Sequence, residues 1–211
     1  MKFSAFLPAL LAPAALAQSV VPSPYTDAKS GITFNYFMDA KTGYFFGLAL
    51  PADGSSTDLI ATIGGKGTGW SGVSLGGAML SKLLIVAWPN GQNIVSSFRK
   101  TAQYGSPAVA TGTFTQAVIP NGTYTNSTHW TYTFLCGKCI QTDKTTFAVA
   151  DNNPTLGWAI NAAAPSAKTS PSATINKHTN EGAYQMDLSK AKSSKFDTWK
   201  AYASAPKVFM A

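Results

Sequence analysis

The sequence predicts an all-β protein, an antiparallel β-sandwich, on three observations. Apolar residues recur either at period 2 or in short continuous runs of strand length. Gly, Pro and Asn clusters punctuate those runs throughout the chain. No stretch of helical period exceeds about three turns before residue 183. With 211 residues, 45% of them hydrophobic and 12% aromatic, the chain can bury one good core. It has no internal repeat and no charged linker, so a single domain is expected.

Taken in order, Met1 and Lys2 form a short basic start. An apolar run broken by Pro8 and Pro13 follows, and Ala15-Leu16-Ala17 offers a small-residue cleavage site. Residues 1–17 therefore read as a secretory signal peptide, too short to span a bilayer, and residues 18–211 as the mature domain. Val20 to Pro24 reads as an extended lead-in. Residues 31–37 alternate bulky and smaller polar side chains, and 44–50 follow across Lys41-Thr42-Gly43, giving two strands. A third, 59–63, runs into the glycine-rich stretch 64–69. A phosphate cradle would need a helix right after those glycines, but Trp70 to Leu75 has a β pattern, so a tight turn between strands is expected.

Residues 83–88 are a continuous apolar run, and Pro89-Asn90-Gly91-Gln92 turns it into 93–98, the clearest hairpin of the chain. Further strands are expected at 111–119, 129–136, 145–150 and 156–161, with turns at 120–122 and 151–154. Only 187–202 has a pattern that suits a short helix.

A signal peptide implies an extracellular protein, and two acceptor sequons, at Asn121 and Asn126, fit that compartment and mark an exposed loop. In such an oxidising setting Cys136 and Cys139 are expected to form one disulfide. The rivals are a redox Cys-x-x-Cys, which wants a strand-to-helix context, and a zinc site, which wants two more ligands nearby. The formal charge of +7 includes Lys2, and the lysines are scattered. A solvated basic face explains most of them, and neither nucleic acid nor a membrane is an expected partner.

The catalytic inventory is thin. There are two histidines and nine acidic residues, with no paired carboxylates and no Gly-x-Ser-x-Gly elbow. His129 starts a strand beside a sequon and reads as an edge residue. His178 lies in a polar loop, where an imidazole can stay solvated or present a nitrogen to a ligand. Met79 follows the Gly76-Gly77 turn, where a thioether can fill an irregular gap or ligate a soft metal.

Here a resemblance appears. Trp70-x-Gly72-Val73-x-Leu75-Gly76-Gly77-Ala78-Met79, then Leu83-Leu84-Ile85-Val86-Ala87-Trp88-x-Asn90-Gly91, then Ile94-Val95-Ser96-Ser97-x-Arg99 match in order. Asn126-Ser127-Thr128-His129-Trp130, Cys136-x-x-Cys139 and His178-Thr179 continue the series. From about Tyr25 to Tyr202 the chain resembles the secreted fungal cytochrome domain of cellobiose dehydrogenase, a DOMON-like haem protein. The resemblance implies an immunoglobulin-like β-sandwich holding one non-covalent haem b, with axial ligands at Met79 and His178. It puts a tyrosine near the haem propionates at Tyr104. Arg99 matches the family's arginine and either reaches a propionate or braces its strand. Gly76 and Gly77 are expected to let the backbone pass close to the flat macrocycle. Trp70 and Trp88 read as core residues.

Two departures from the family pattern stand out. Leu80-Ser81-Lys82 follow the methionine where the family is polar and acidic, and Lys177 and Asn180 flank the histidine where it has acids. The haem edge is therefore expected to be more positive than usual. The resemblance implies a cytochrome rather than an enzyme, free-standing and monomeric, with no flavin domain expected after Ala211. It would take electrons from a separate reductant or dehydrogenase and pass them to a copper-dependent polysaccharide oxygenase in plant cell wall degradation. The alternatives are a haem-free carbohydrate-binding sandwich and, less in keeping with the thin inventory, a small secreted hydrolase.

Overall fold

A computed structural model describes residues 21–204 and 207–208. The leader at 1–17 and the start of the mature chain at Gln18 lie outside the described residues. In chain order the strands are β1 (Ser23–Thr26), β2 (Thr33–Met38), β3 (Phe45–Pro51), β4 (Leu59–Lys66), β5 (Trp70–Ser74), β6 (Leu84–Asn90), β7 (Asn93–Lys100) and β8 (Ala108–Val109). They continue with β9 (Thr115–Val118), β10 (Tyr124–Thr125), β11 (His129–Gly137), β12 (Thr155–Asn161), β13 (Asn180–Gln185), β14 (Lys192–Ser193) and β15 (Lys207–Val208). One short helix, α1 (Phe196–Lys200), follows β14.

The strands form two sheets. The first runs β1-β2-β3-β4-β11-β9-β15, with β10 on β11 and β14 parallel to β3, and the second runs β13-β12-β5-β6-β7-β8. Every pairing but β14 with β3 is antiparallel. The sandwich expected from the alternating runs is thus observed. Its core comes from the inward side chains of both sheets: Phe46, Leu48, Ala61, Ile63, Trp130 and Phe134 meet Val73, Leu75, Ile85, Ala87, Phe98 and Leu156. Successive side chains point to opposite faces of a strand, so β3 and β4, apolar at nearly every position, must be covered on both sides.

Both covers exist. On the outer face of the first sheet, α1 sets Phe196 and Trp199 against Ile32, Phe34, Ala49, Ile60 and Ile119. On the outer face of the second, the irregular segment 162–179, here the strap, sets Ala173 and Ile175 against Trp70, Val86 and Trp88. Trp70 and Trp88 are accordingly buried, though outside the main core.

Several expectations are corrected. Residues 145–150 form no strand. Asp143 Oδ1 captures the amide and hydroxyl of Thr145 (3.0 and 2.6 Å), and Asp151 Oδ2 captures the amide of Ala148 (2.7 Å), so local side-chain acceptors replace a ladder. The expected strand at 111–119 shrinks to β9, and the lead-in supplies β1. The glycine-rich stretch turns only at Gly67 and Thr68, because β4 continues through Gly64 and Gly65. A side chain on Gly64 would strike the Phe45 ring and the carbonyl of Trp130. The hairpin of β6 and β7 pairs Asn90 with Asn93, and the helical tail appears as α1. Cys136 and Cys139 form a disulfide at the end of β11.

Candidate functional site

The outer face of the second sheet changes character across its width. Register puts Leu84 and Val86 of β6, and Ser97 and Arg99 of β7, in the same rows as Ser74 and Gly72 of β5. The rows continue through Gly157 and Ala159 of β12 to Ala183 and Glu181 of β13. On β6 and β7 the outward side chains Val86, Trp88, Val95 and Arg99 lie under the strap. On β5, β12 and β13 the rows hold Gly72, Ser74, Gly157, Ala159 and Ala183, a run of small residues flanked by Trp70 and Glu181.

Two loops bracket that run. At one end is the 75–83 loop between β5 and β6, which carries Met79. It is closed by Leu75 N–H to Leu83 O (3.1 Å) and stitched to its neighbours by Ser81 N–H to Thr101 O (2.8 Å), Leu83 N–H to Thr145 O (2.9 Å) and Phe147 N–H to Leu75 O (2.7 Å). Ser81 holds a left-handed backbone (φ 58°), and Ser74 Oγ donates to Ala78 O. At the other end is the strap, which delivers His178 just before Thr179 N–H bonds Ile160 O (2.9 Å). Measured along β12, the Met79 loop meets the sheet near Gly157 and the His178 segment near Ile160 and Asn161. That interval is about 13 Å at the ordinary strand rise.

The paired glycines have protein neighbours. A Cβ on Gly76 would collide with Lys82 and the carbonyl of Thr145. Gly77 has φ +84°, and a Cβ there would press on Thr155 O. Gly157 allows close approach in the other direction, since its own Cβ would run into Gly77 O. Close backbone packing of the Met79 loop on β12 is what these glycines provide here.

Arg99 is 1% exposed. Its Nε donates to Ser97 Oγ (2.7 Å), Nη1 to Pro107 O (2.8 Å), and Nη2 to Pro171 O (2.6 Å) and Ala173 O (2.9 Å). These bonds tie β7 to the strap and to the stretch before β8. Burial lowers its pKa, yet the group stays charged. Tyr104, by contrast, is 81% exposed, a large aromatic left uncovered on the 101–107 loop beside the Met79 loop.

Sequence reasoning missed Glu181. Its Oε2 lies 2.9 Å from His178 Nε2, and the histidine side chain is 21% exposed. The register Ile160 to Asn180 puts Glu181 on the outer face beside the imidazole, but β13 is too polar to have been read as a strand. His129 is a half-buried residue at the head of β11, bonded through Nδ1 to Thr128 Oγ1 (2.8 Å). Asn121 and Asn126 are exposed. Among the described residues no three His, Cys, Asp or Glu side chains cluster as metal ligands. No helix among them is long and apolar enough to cross a membrane. An open depression of about 380 Å³, lined by Gly76, Phe147, Asp151 and Asn153 among others, lies behind the Met79 loop.

A flat prosthetic group fits what is present. Gly157 and Ser74 are covered by the Met79 loop and Gly72 by the Trp70 ring, which leaves Ala159 and Ala183 as small, uncovered positions between a thioether at one end and an imidazole at the other, and Trp70 Nε1, buried at the margin, has no acceptor among the described residues.

Comparison with known proteins gives the family and the fold. Residues 25–198 match the family model for the cytochrome domain of cellobiose dehydrogenase. The solved cytochrome domain of Myriococcum thermophilum cellobiose dehydrogenase superposes with TM-score 0.79 at 30% identity, over 89% of this chain and 98% of that one. The cytochrome b domain of pyranose dehydrogenase from Coprinopsis cinerea superposes with TM-score 0.77 at 23% identity, over 86% and 95%, a likeness of fold. In sequence, a pyrroloquinoline quinone-dependent pyranose dehydrogenase of Coprinopsis cinerea is 26% identical over 182 residues, 83% of this chain. The match covers only 25% of that dehydrogenase's own length.

Proposed function

The chain belongs to the family of cellobiose dehydrogenase cytochrome domains, and on that premise we propose that it is a secreted electron-transfer protein holding one non-covalent haem b between Met79 and His178. The observation that carries the reading is the pair of small, uncovered positions Ala159 and Ala183 on the outer face, with a methionine loop at one end and a histidine segment at the other. A larger side chain at either position would intrude on the space a macrocycle needs.

The bound haem would supply a one-electron ferric–ferrous couple. Met79 would hold the iron with a soft thioether, which favours its reduced state, and His178 with an imidazole nitrogen, a donor pair that would leave no site for oxygen. Glu181, 2.9 Å from His178 Nε2, would orient the imidazole that holds the haem. Tyr104 has the exposure to cover the macrocycle's edge and to give its phenol to a propionate.

The donor is a separate reductant or a sugar dehydrogenase, the class of enzyme in which related domains occur, and the acceptor a copper-dependent polysaccharide oxygenase. Lys82, Lys100 and Lys144 gather beside the Met79 loop. Lys82 Nζ donates to Lys144 O (2.7 Å), and among the described residues Lys100 is the one of the three within ion-pair distance of an acid, Asp143 at 4.0 Å. Such a rim favours partners with acidic surfaces, and electron transfer is expected to slow as salt rises.

The test is spectroscopic. Purified protein should show a six-coordinate low-spin haem that ascorbate reduces, and Met79→Ala and His178→Ala should each lose that spectrum. An unchanged low-spin spectrum in both variants sinks the assignment.

A further inference from the structure

The strap at 162–179 pairs with no strand, so its carbonyls must find donors elsewhere. The sheet supplies them from side chains. Trp88 Nε1 donates to Lys168 O (2.8 Å), Asn161 Nδ2 to Lys177 O (2.6 Å), and Arg99 Nη2 to both Pro171 O and Ala173 O. Arg99 also reaches Pro107 O in the stretch that follows Tyr104, and Ser106 Oγ in that stretch accepts from Ile175 N–H (3.1 Å). One guanidinium therefore ties both the His178 strap and the Tyr104 loop to β7.

Stability alone is a poor reason to keep that group. Arg99 is buried, and among the described residues no carboxylate lies within ion-pair distance of it. A buried cation without a counter-carboxylate is costly, and an apolar side chain would cover the sheet as well. A planar fork holds carbonyls of two separate loops in a rigid geometry that a compact, freely rotating ammonium does not impose.

We propose that Arg99 is a positioning residue of the haem site: by fixing Pro171 and Ala173 it holds the strap, and with it His178, opposite the Met79 loop, and so sets how long haem stays bound. The inference rests on the cytochrome reading above. Thr179 and Glu181 anchor His178 from the β13 side, and Arg99 supplies the anchor on the strap side. Without it the segment from Pro171 to Lys177 is tied to the rest of the molecule through Ser106, Asn161 and the packing of Ala173 and Ile175.

The experiment uses the haem-loaded full chain and follows transfer of ferric haem to excess apomyoglobin. Arg99→Lys keeps the charge and loses the fork; haem loss should accelerate about tenfold, the range seen when outer-shell partners of a metal site are removed. A high-spin fraction should appear in its ferric spectrum, and the Ile175 amide should exchange faster in the haem-free protein. Ser106→Ala, on an exposed loop, should accelerate haem loss by a smaller factor without affecting folding, which circular dichroism checks. If Arg99→Lys does not fold, Ser106→Ala decides alone. Wild-type haem loss in the folded variants overturns this inference and leaves the cytochrome reading standing. A wild-type protein that takes up no haem overturns both.

Discussion

The two outer faces of the sandwich are covered in opposite ways. Over the first sheet, α1 packs Phe196 and Trp199 into aliphatic and aromatic neighbours, side chain against side chain. Over the second, the strap is irregular, is held largely by side-chain donors on its carbonyls, and leaves small residues on part of the sheet beyond its reach. A cover of the first kind excludes water and adds stability. One of the second kind fixes a loop in space beside a run of small residues, a division of labour common where rigid strands carry functional loops.

The comparison breaks most visibly by truncating one residue from each cover. Trp199→Ala should cost about 3–5 kcal/mol in denaturant unfolding while the haem spectrum of the folded protein stays that of the wild type. His178→Ala should do the reverse: the spectrum is lost, and the haem-free protein unfolds within about 0.5 kcal/mol of wild type. A spectrum altered by Trp199→Ala would show that the faces are coupled and the division false.

A finer cut is made at the run of small residues. Gly157→Ala puts a methyl group where the carbonyl of Gly77 now lies, so the Met79 loop must lift off β12. An unfolding cost of about 1–3 kcal/mol is expected, together with a weakened methionine-ligated spectrum. Trp88→Phe removes the bond to Lys168 O and part of a fully buried ring, and should cost about 1–3 kcal/mol. Its clearer sign is faster amide exchange in the strap, read by mass spectrometry.

These regions also differed in how far the sequence disclosed them. Strands such as β3, β4, β6 and β11 carry period-2 or continuous apolar patterns, because both faces or the inner face must be buried, and they were readable. β13 was not, since its residues Asn180, Glu181 and Gly182 are polar or small, and only its pairing with β12 makes it a strand. Residues 145–150 misled for the converse reason: Thr145, Thr146, Phe147 and Val149 look like a strand, while Asp143 and Asp151 cap them into turns. At the site, motif resemblance singled out Met79, His178, Tyr104 and Arg99. The strap ties could not be read, because a carbonyl acceptor carries no residue identity. Glu181 needed the register to bring it to His178.

The smallest expected effect belongs to the helix-covered face and depends on pH. Asp58 is partly buried, which resists ionisation, but its Oδ2 accepts from Lys200 Nζ at the end of α1 (2.7 Å) and its Oδ1 from Lys138 N–H (2.8 Å). The hydrogen bonds and the lysine charges outweigh burial, and the carboxyl pKa falls below its ordinary 3.8. A depressed folded value means that the unfolded chain binds the proton more tightly. The contribution is therefore fully present above the unfolded value and is lost as pH falls through the folded one. With Lys200 largely solvated, Asp58→Asn should cost no more than about 1 kcal/mol near neutrality. The difference from wild type should shrink in high salt and vanish well below 3.8, with the haem spectrum unchanged throughout. A deficit that persisted undiminished in acid would mean that the side chain's shape and its bond to Lys138, rather than its charge on α1, account for the loss.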